Sequence, residues 1–286
     1  MELRLLCLPY HNGLRNVGMG RGASKLVSDE ALRRGIEAQG WRLTSEEIQG
    51  IDESVPEIAR VMELDRHLSI RVREAAEHGA FPLVLAGNCN SCLGTAAGIG
   101  AAGLGVIWFD AHADFDDPDE NTSGFFDVMG LAMLTGRGWR GLRQTLPGLM
   151  PVAERNVILA AVRDLEPYQR KRLERSAVLA VPDVIDVERF DHAVQDLATR
   201  ASRVYLHLDL DSIDIDDAKA NQYAAGGGPC LERLEACIRL VCRRLNVAAA
   251  SITAYDPAFD EDGRALAAAR RVAHEIAKGV RSEPMT

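Results

Sequence analysis

The chain has 286 residues, 47% of them hydrophobic and 26% charged, and a formal net charge of -9 at pH 7. That length buries a large core with an ordinary globular composition, and the acidic excess argues against nucleic-acid binding or attraction to anionic lipid. No apolar run approaches the roughly 20 residues of a transmembrane helix, and the six cysteines (Cys7, Cys89, Cys92, Cys230, Cys237, Cys242) show no disulfide framework, the pattern of a reducing cytoplasm.

In chain order, "MELRLLCLPYHNG" reads as a first strand, its apolar stretch being too short for a signal peptide. Amphipathic helices follow in "SDEALRRGIEAQG" and "VPEIARVMELDRHLSIRVREAAEHG", then the apolar strand "FPLVLAG". Further strands are expected at "LGVIWFD", "NVILAAV", "AVLAV", "VYLHLDL" and "AAASITAYDP". Helices are expected at "DHAVQDLATRA", "CLERLEACIRLVCRRL" and "GRALAAARRVAHEIAKG". Near-continuous apolar strands alternating with helices predict an α/β fold, a parallel sheet covered on both faces. No repeat or linker divides the chain, so one domain over residues 1–286 is expected.

Chemistry in such sheets collects at the carboxyl ends of the strands. Three of those ends carry metal-ligating side chains. "LVLAG" runs into Asn88, Cys89 and Asn90, an unusual thiol between two amides. "VIWFD" runs into "DAHAD", where Asp110, His112 and Asp114 are spaced two apart and share one side of an extended backbone. "HLDLDSID" places Asp209 and Asp211 on one face, with His207 beside them as a further ligand, a group supporting a ligand or a structural strand histidine. No lysine or arginine lies in either acidic motif. Converging carboxylates would repel one another at a cost of several kcal/mol per buried ion, and one or two divalent cations would resolve the conflict. Carboxylates with an imidazole suit manganese, with zinc or iron as alternatives.

These motifs resemble the arginase/agmatinase (ureohydrolase) superfamily: "DAHAD" and "LDLDSID" are similar to its two acidic signatures, "AAGGGPC" to the glycine segment that follows, and "TAYDPAFD" to a late Glu-x-Asn-Pro-x-x-Asp stretch. The resemblance implies a three-layer α/β/α fold around a mainly parallel sheet, two Mn(2+) ions and a homo-oligomer, a trimer or hexamer. It places Cys89 at the position of the family's first metal-binding histidine; a one-residue shift would place Asn90 there. By position, Cys89, Asp110, Asp114 and Asp209 would hold one ion, and Asp110, His112, Asp209 and Asp211 the other. Asp110 and Asp209 would then position a bridging hydroxide for attack.

Other matched positions depart from the family. The glutamate that clasps a guanidinium falls on Ala254, and the histidine that shuttles a proton falls on Asp127, which suits a base better than an acid at neutral pH. The asparagine that seats a substrate carboxylate falls on Asp116, which would repel it; Ser123 is retained, and Glu166 stands where an acid meets an amino group. The expected activity is metal-dependent hydrolysis of a linear amidine-type C–N bond in a small, cationic substrate. Arginine yielding urea and N-hydroxyarginine yielding hydroxyurea are the examples in view. The alternatives are a one-metal amidohydrolase of deacetylase type and a non-catalytic, metal-stabilised scaffold.

Overall fold

A computed structural model describes residues 1–182 and 187–281. The strands are β1 (Glu2–Leu8), β2 (Tyr10–His11), β3 (Leu14–Arg15), β4 (Arg42–Glu47), β5 (Ala80–Ala86), β6 (Gly105–Phe109), β7 (Val157–Ala160), β8 (Leu179–Val181), β9 (Val204–Asp209) and β10 (Val247–Thr253). The helices are α1 (Gly20–Val27), α2 (Glu30–Ala38), α3 (Glu57–Glu77), α4 (Cys92–Ile99), α5 (Gly130–Leu134), α6 (Arg140–Arg143), α7 (Pro167–Glu174), α8 (Val187–Ala198), α9 (Leu231–Arg244) and α10 (Arg264–Arg281).

Eight strands form one sheet in the order β4-β1-β5-β10-β9-β6-β7-β8, and every pairing in it is parallel. Its inner strands are apolar on both faces, as the sequence predicts. In β6, Ile107 and Phe109 join one core layer while Val106 and Trp108 join the other. The first layer packs against α1, α2, α8, α9 and α10, and the second against α3, α4 and α5, giving the expected three-layer α/β/α arrangement. Alternating residues of a strand point to opposite faces, so a sheet covered on both sides needs both sets apolar.

Two local features set up the site. The hairpin β2–β3 turns at Asn12 and Gly13, both at positive φ (54° and 71°), the backbone a two-residue hairpin turn demands. Gly87, just past β5, lies against the carbonyl of Tyr10, where a Cβ would come within 2.2 Å of the oxygen, so only glycine lets the hairpin sit on the end of β5. The four contiguous strands β5-β10-β9-β6 then deliver Cys89, Ala254, Asp209 and Asp110 from their carboxyl ends to one place.

Candidate metal centre and its cavity

Those strand ends floor a cavity of about 720 Å³ lined by Cys89, His112, Asp114, Asp127, Asp209 and Asp211, among others. Its ligand atoms assemble into two groups, each within 4.8 Å: Cys89, Asp110 and Asp209, and Asp110, His112 and Asp211. Asp110 belongs to both. The Trp108 indole N–H donates to its Oδ2 at 2.9 Å, and the His112 backbone N–H donates to its Oδ1 at 2.7 Å.

Asp209 belongs to the first group alone, whereas the family resemblance implied that it is shared. Its Oδ2 accepts from the Cys89 thiol at 3.0 Å and its Oδ1 accepts the backbone N–H of Asp211 at 2.8 Å. Asp114 lines the cavity and interacts with the Cys89 thiol, but lies outside both groups. Its backbone is left-handed (φ 46°), held by its carbonyl, which accepts the N–H groups of Leu131 and Ala132 at the start of α5. Ala254 has the same conformation (φ 62°) and also lines the cavity. Such strain in non-glycine residues costs on the order of 1–3 kcal/mol and clusters at functional sites.

Burial, and then the neighbouring acids, push the Asp209 and Asp114 carboxyls well above the ordinary range; burial and Asp211 raise Asp110. The Cys89 thiol is pushed up by burial and by Asp209, Asp114, Asp127 and Asp110. Burial works against a charged His112, but Asp110, Asp211 and Asp164 outweigh it and push the imidazole up to about 9. Each group is therefore short of positive charge, the condition a divalent cation relieves.

The turn "NCN" serves three ends. Cys89 faces the acids, while Asn90 lines a separate void of about 20 Å³ behind the turn with Asp65 and Ser91; the structure thus brings Cys89, not Asn90, to the ligand group. Asn88 accepts the Asn12 N–H at 2.8 Å and donates to Asp127 Oδ2 at 2.5 Å. The backbone N–H of Asn90 donates to Asp127 Oδ1 at 2.8 Å. Asp127 is thus fixed at the cavity wall, and burial holds its carboxyl up at about 6 against these hydrogen bonds.

Two of the expected substrate contacts do not reach the cavity. The Asp116 carboxylate is buried, does not line the cavity, and accepts from Asn121 Nδ2 at 2.7 Å, the Tyr168 hydroxyl at 2.7 Å and Gln169 Nε2 at 2.9 Å. Glu166 is exposed and caps α7 in a reciprocal pair with Gln169. Ser123 lines the cavity, its hydroxyl donating to Asn121 Oδ1 at 3.0 Å.

Several residues that shape the site escaped sequence reasoning. Asn221 donates to Asp211 Oδ2 at 3.2 Å and to the Ala254 carbonyl at 2.8 Å. Arg163 donates to the backbone carbonyls of Asp211, Ser212 and Ile213, so a positive charge does sit behind the second acidic motif without touching its carboxylates. The Thr253 hydroxyl lies 3.1 Å from the Cys89 sulfur and 3.4 Å from His207 Nε2. His207 falls outside both ligand groups: it is buried, stacked on Trp108 with centroids 3.5 Å apart, and held by Tyr205 and Ser251 at Nδ1. Burial keeps it neutral, its pKa well below the usual value.

The sequence profile described as the Arginase family matches residues 4–278. The arginase of Bacillus caldovelox is 27% identical over 227 residues, 76% of this chain and 75% of that protein. The arginase of Bacillus subtilis (strain 168) is 31% identical over 174 residues, 58% of each chain. The crystal structure of arginase from Bacillus cereus superposes with a TM-score of 0.85 at 24% identity, covering 99% of both chains. The match runs through both acidic motifs and all eight strands of the large sheet. The chain belongs to the arginase family, whose members are hydrolases acting on C–N bonds of linear amidines.

Proposed function

We propose that the protein is a divalent-metal-dependent hydrolase of a guanidino or hydroxyguanidino compound. The observation that carries this reading is the pair of ligand groups sharing Asp110 on the floor of one cavity. The donor set fits two cations: Cys89, Asp110 and Asp209 would hold one, and Asp110, His112 and Asp211 the other, with Asp114 and Asp209 as the further carboxylates beside the first and the second. Carboxylates and an imidazole favour manganese, and the thiolate extends the range toward zinc or iron. When bound, such ions lower the pKa of water and polarise the amidine.

The chain's own residues supply orientation and proton transfer. Trp108 and the His112 N–H fix Asp110, and the Asp211 N–H fixes Asp209. Asp127, clasped by Asn88 and Asn90 and titrating at about 6, takes a proton and returns it to the leaving amine. Ala254 offers no carboxylate to a guanidinium, a charged hydrogen bond worth about 1.5–3 kcal/mol. That omission favours a hydroxyguanidine such as N-hydroxyarginine over arginine. Six free cysteines are in keeping with a reducing cytoplasm, where we propose that the protein works as a trimer or hexamer.

The test is protein kept reduced, reconstituted with manganese, assayed for metal content and for urea from arginine and hydroxyurea from N-hydroxyarginine. Two ions per chain with either product is the expected result; no product from either compound overturns the reading. One ion per chain would favour the second reading, a one-metal amide hydrolase. The observation behind it is the contrast between the open His112 group and the wholly buried Cys89 group.

A further inference from the structure

The turn that delivers Cys89 carries a second thiol three residues on, in the sequence "CNSC". Cys89–Ser91 form one 3₁₀ turn, and the Cys92 N–H donates to the Cys89 carbonyl as α4 begins. Such a turn rises about 2 Å per residue and brings side chains three apart onto one side, so the two Cα atoms stand roughly 6 Å apart. Disulfides span Cα separations of about 4.4–6.8 Å. The two thiols also share surroundings: Asp114 and Asp127 act on both, and both act on the Tyr205 hydroxyl.

The other cysteines lie apart from this pair. Cys7, Cys237 and Cys242 belong to the core layer on the opposite face of the sheet, and Cys230 is exposed at the start of α9. Cys89 and Cys92 sit together in the second layer but differ in access. Cys89 lines the cavity, where a small solute reaches it; Cys92 is wholly buried, does not line the cavity and belongs to neither ligand group. An accessible sulfur backed by a sheltered one is the arrangement of an oxidisable cysteine and the cysteine that resolves it.

We propose that Cys89 and Cys92 form a reversible disulfide when a peroxide enters the cavity, and that this bond dismantles the buried ligand group. This rests on the metal reading above and adds to it a means of regulation. Cys89 binds a cation as its thiolate, which is also the form that a peroxide oxidises. The thiolate takes one oxygen atom from the peroxide to give a sulfenic acid and releases hydroxide. The Cys92 thiol then attacks that sulfur. The S–S bond forms, the S–O bond breaks, and the hydroxyl leaves with the Cys92 proton as water. To make the bond, the Cys89 sulfur must give up Asp209 at 3.0 Å and Thr253 at 3.1 Å. The first group is then left with Asp110 and Asp209, while Asp110, His112 and Asp211 are untouched.

The test treats manganese-reconstituted wild-type protein with hydrogen peroxide and divides each sample between peptide mapping and elemental analysis. The peptide carrying both cysteines should lose two hydrogens and resist alkylation, and bound metal should fall from two ions per chain to one. Dithiothreitol followed by fresh manganese should restore both readings. Cys92→Ala keeps every ligand and should hold two ions before treatment. After peroxide its Cys89 has no resolving partner and passes on to sulfinic acid, so the ion lost should not return with dithiothreitol. Wild-type protein whose Cys89 stays reduced, or is oxidised without bonding to Cys92, overturns the proposal. So does a bond formed with both ions retained, or full recovery of Cys92→Ala by dithiothreitol. The wild-type readings stand by themselves if Cys92→Ala does not fold. Untreated wild-type protein that holds fewer than two ions counts against the metal reading instead, and the peptide map still decides whether the bond forms.

Discussion

The two ligand groups share Asp110 and little else. Cys89, Asp110 and Asp209 are all buried, with the thiol already donating to a carboxylate. Asp110, His112 and Asp211 open to the cavity through His112, whose side chain is 26% exposed. Yet both meet the same obstacle. Burial, and then the acids that would attract a cation, hold a proton on the Cys89 sulfur in one group, while in the other the acids hold one on the His112 imidazole against burial. A metal ion must displace that proton, and the displacement is harder where water cannot reach it. The exposed group is therefore expected to fill first and the buried group to govern whether the centre is complete.

The largest way to break this comparison is to remove what the groups share. Asp110→Asn takes a carboxylate from both and should reduce bound metal from two ions per chain to one or none. Amidine hydrolysis should fall by on the order of 10²–10³-fold or more, the scale of losing a group that stabilises the transition state. Elemental analysis beside a urea or hydroxyurea assay reads both, and retention of two tightly held ions would contradict the shared role.

Cys89→Ser separates the groups. The hydroxyl keeps a hydrogen bond to Asp209 but is a far poorer anionic ligand than a thiolate, so metal content should fall from two ions to one with the His112 group still filled. Cys89→His should hold two ions and shift preference away from the softer metals. If Cys89→Ser still holds two ions, the sulfur is packing rather than ligand.

The floor of the site was legible in the sequence because buried parallel strands are written as unbroken apolar runs, and "VIWFD" and "VYLHLDL" end abruptly in acids. The edge strand β4, "RLTSEE", was not: it pairs only with β1 and carries no apolar face. Helix α4, "CLGTAAGI", was missed for the opposite reason, being buried all round and so without periodicity. The Asn12–Gly13 pair carries the sequence signal of a two-residue hairpin turn, and both residues sit at positive φ. Positional matching put Asp116 and Glu166 at substrate contacts, but position does not reveal partners, and Tyr168 and Gln169 consume one while α7 consumes the other. The walls came from His11, Glu57, Asn221 and Tyr223, which only the fold brings together.

A smaller change sharpens the comparison without touching a ligand. Thr253→Val removes the hydroxyl between Cys89 and His207 while keeping a β-branched shape suited to β10. Groups that orient a metal ligand typically matter by about 10–100-fold in affinity, so the buried group should lose about that much. The His112 group should not change. Equal weakening at both would mean the variant disturbs the sheet rather than the sulfur.

The smallest expected effect isolates burial from metal binding. Asp65 is as buried as Asp110, but among the described residues it belongs to no ligand group; its Oδ1 accepts the Gly94 N–H at 3.2 Å and its Oδ2 has no partner among them. Burial pushes its carboxyl well above the ordinary range. The folded chain therefore keeps this proton when the unfolded chain has given it up. Stability from this site is fully present below the unfolded value near 3.9 and is lost as pH rises from there toward the folded value. Asp65→Asn has no proton to lose and should lack that slope. At pH 8 it should melt about 2–4 °C above wild type, the shift expected from roughly 1 kcal/mol, with the advantage shrinking toward pH 4. Thermal unfolding of the two metal-free proteins across that range reads the difference, and parallel curves would mean that Asp65 ionises in the fold at little cost. Since no cation is available to Asp65, the slope measures what burying an acid costs unaided, the cost that the cavity's acids bear until a metal ion replaces their protons.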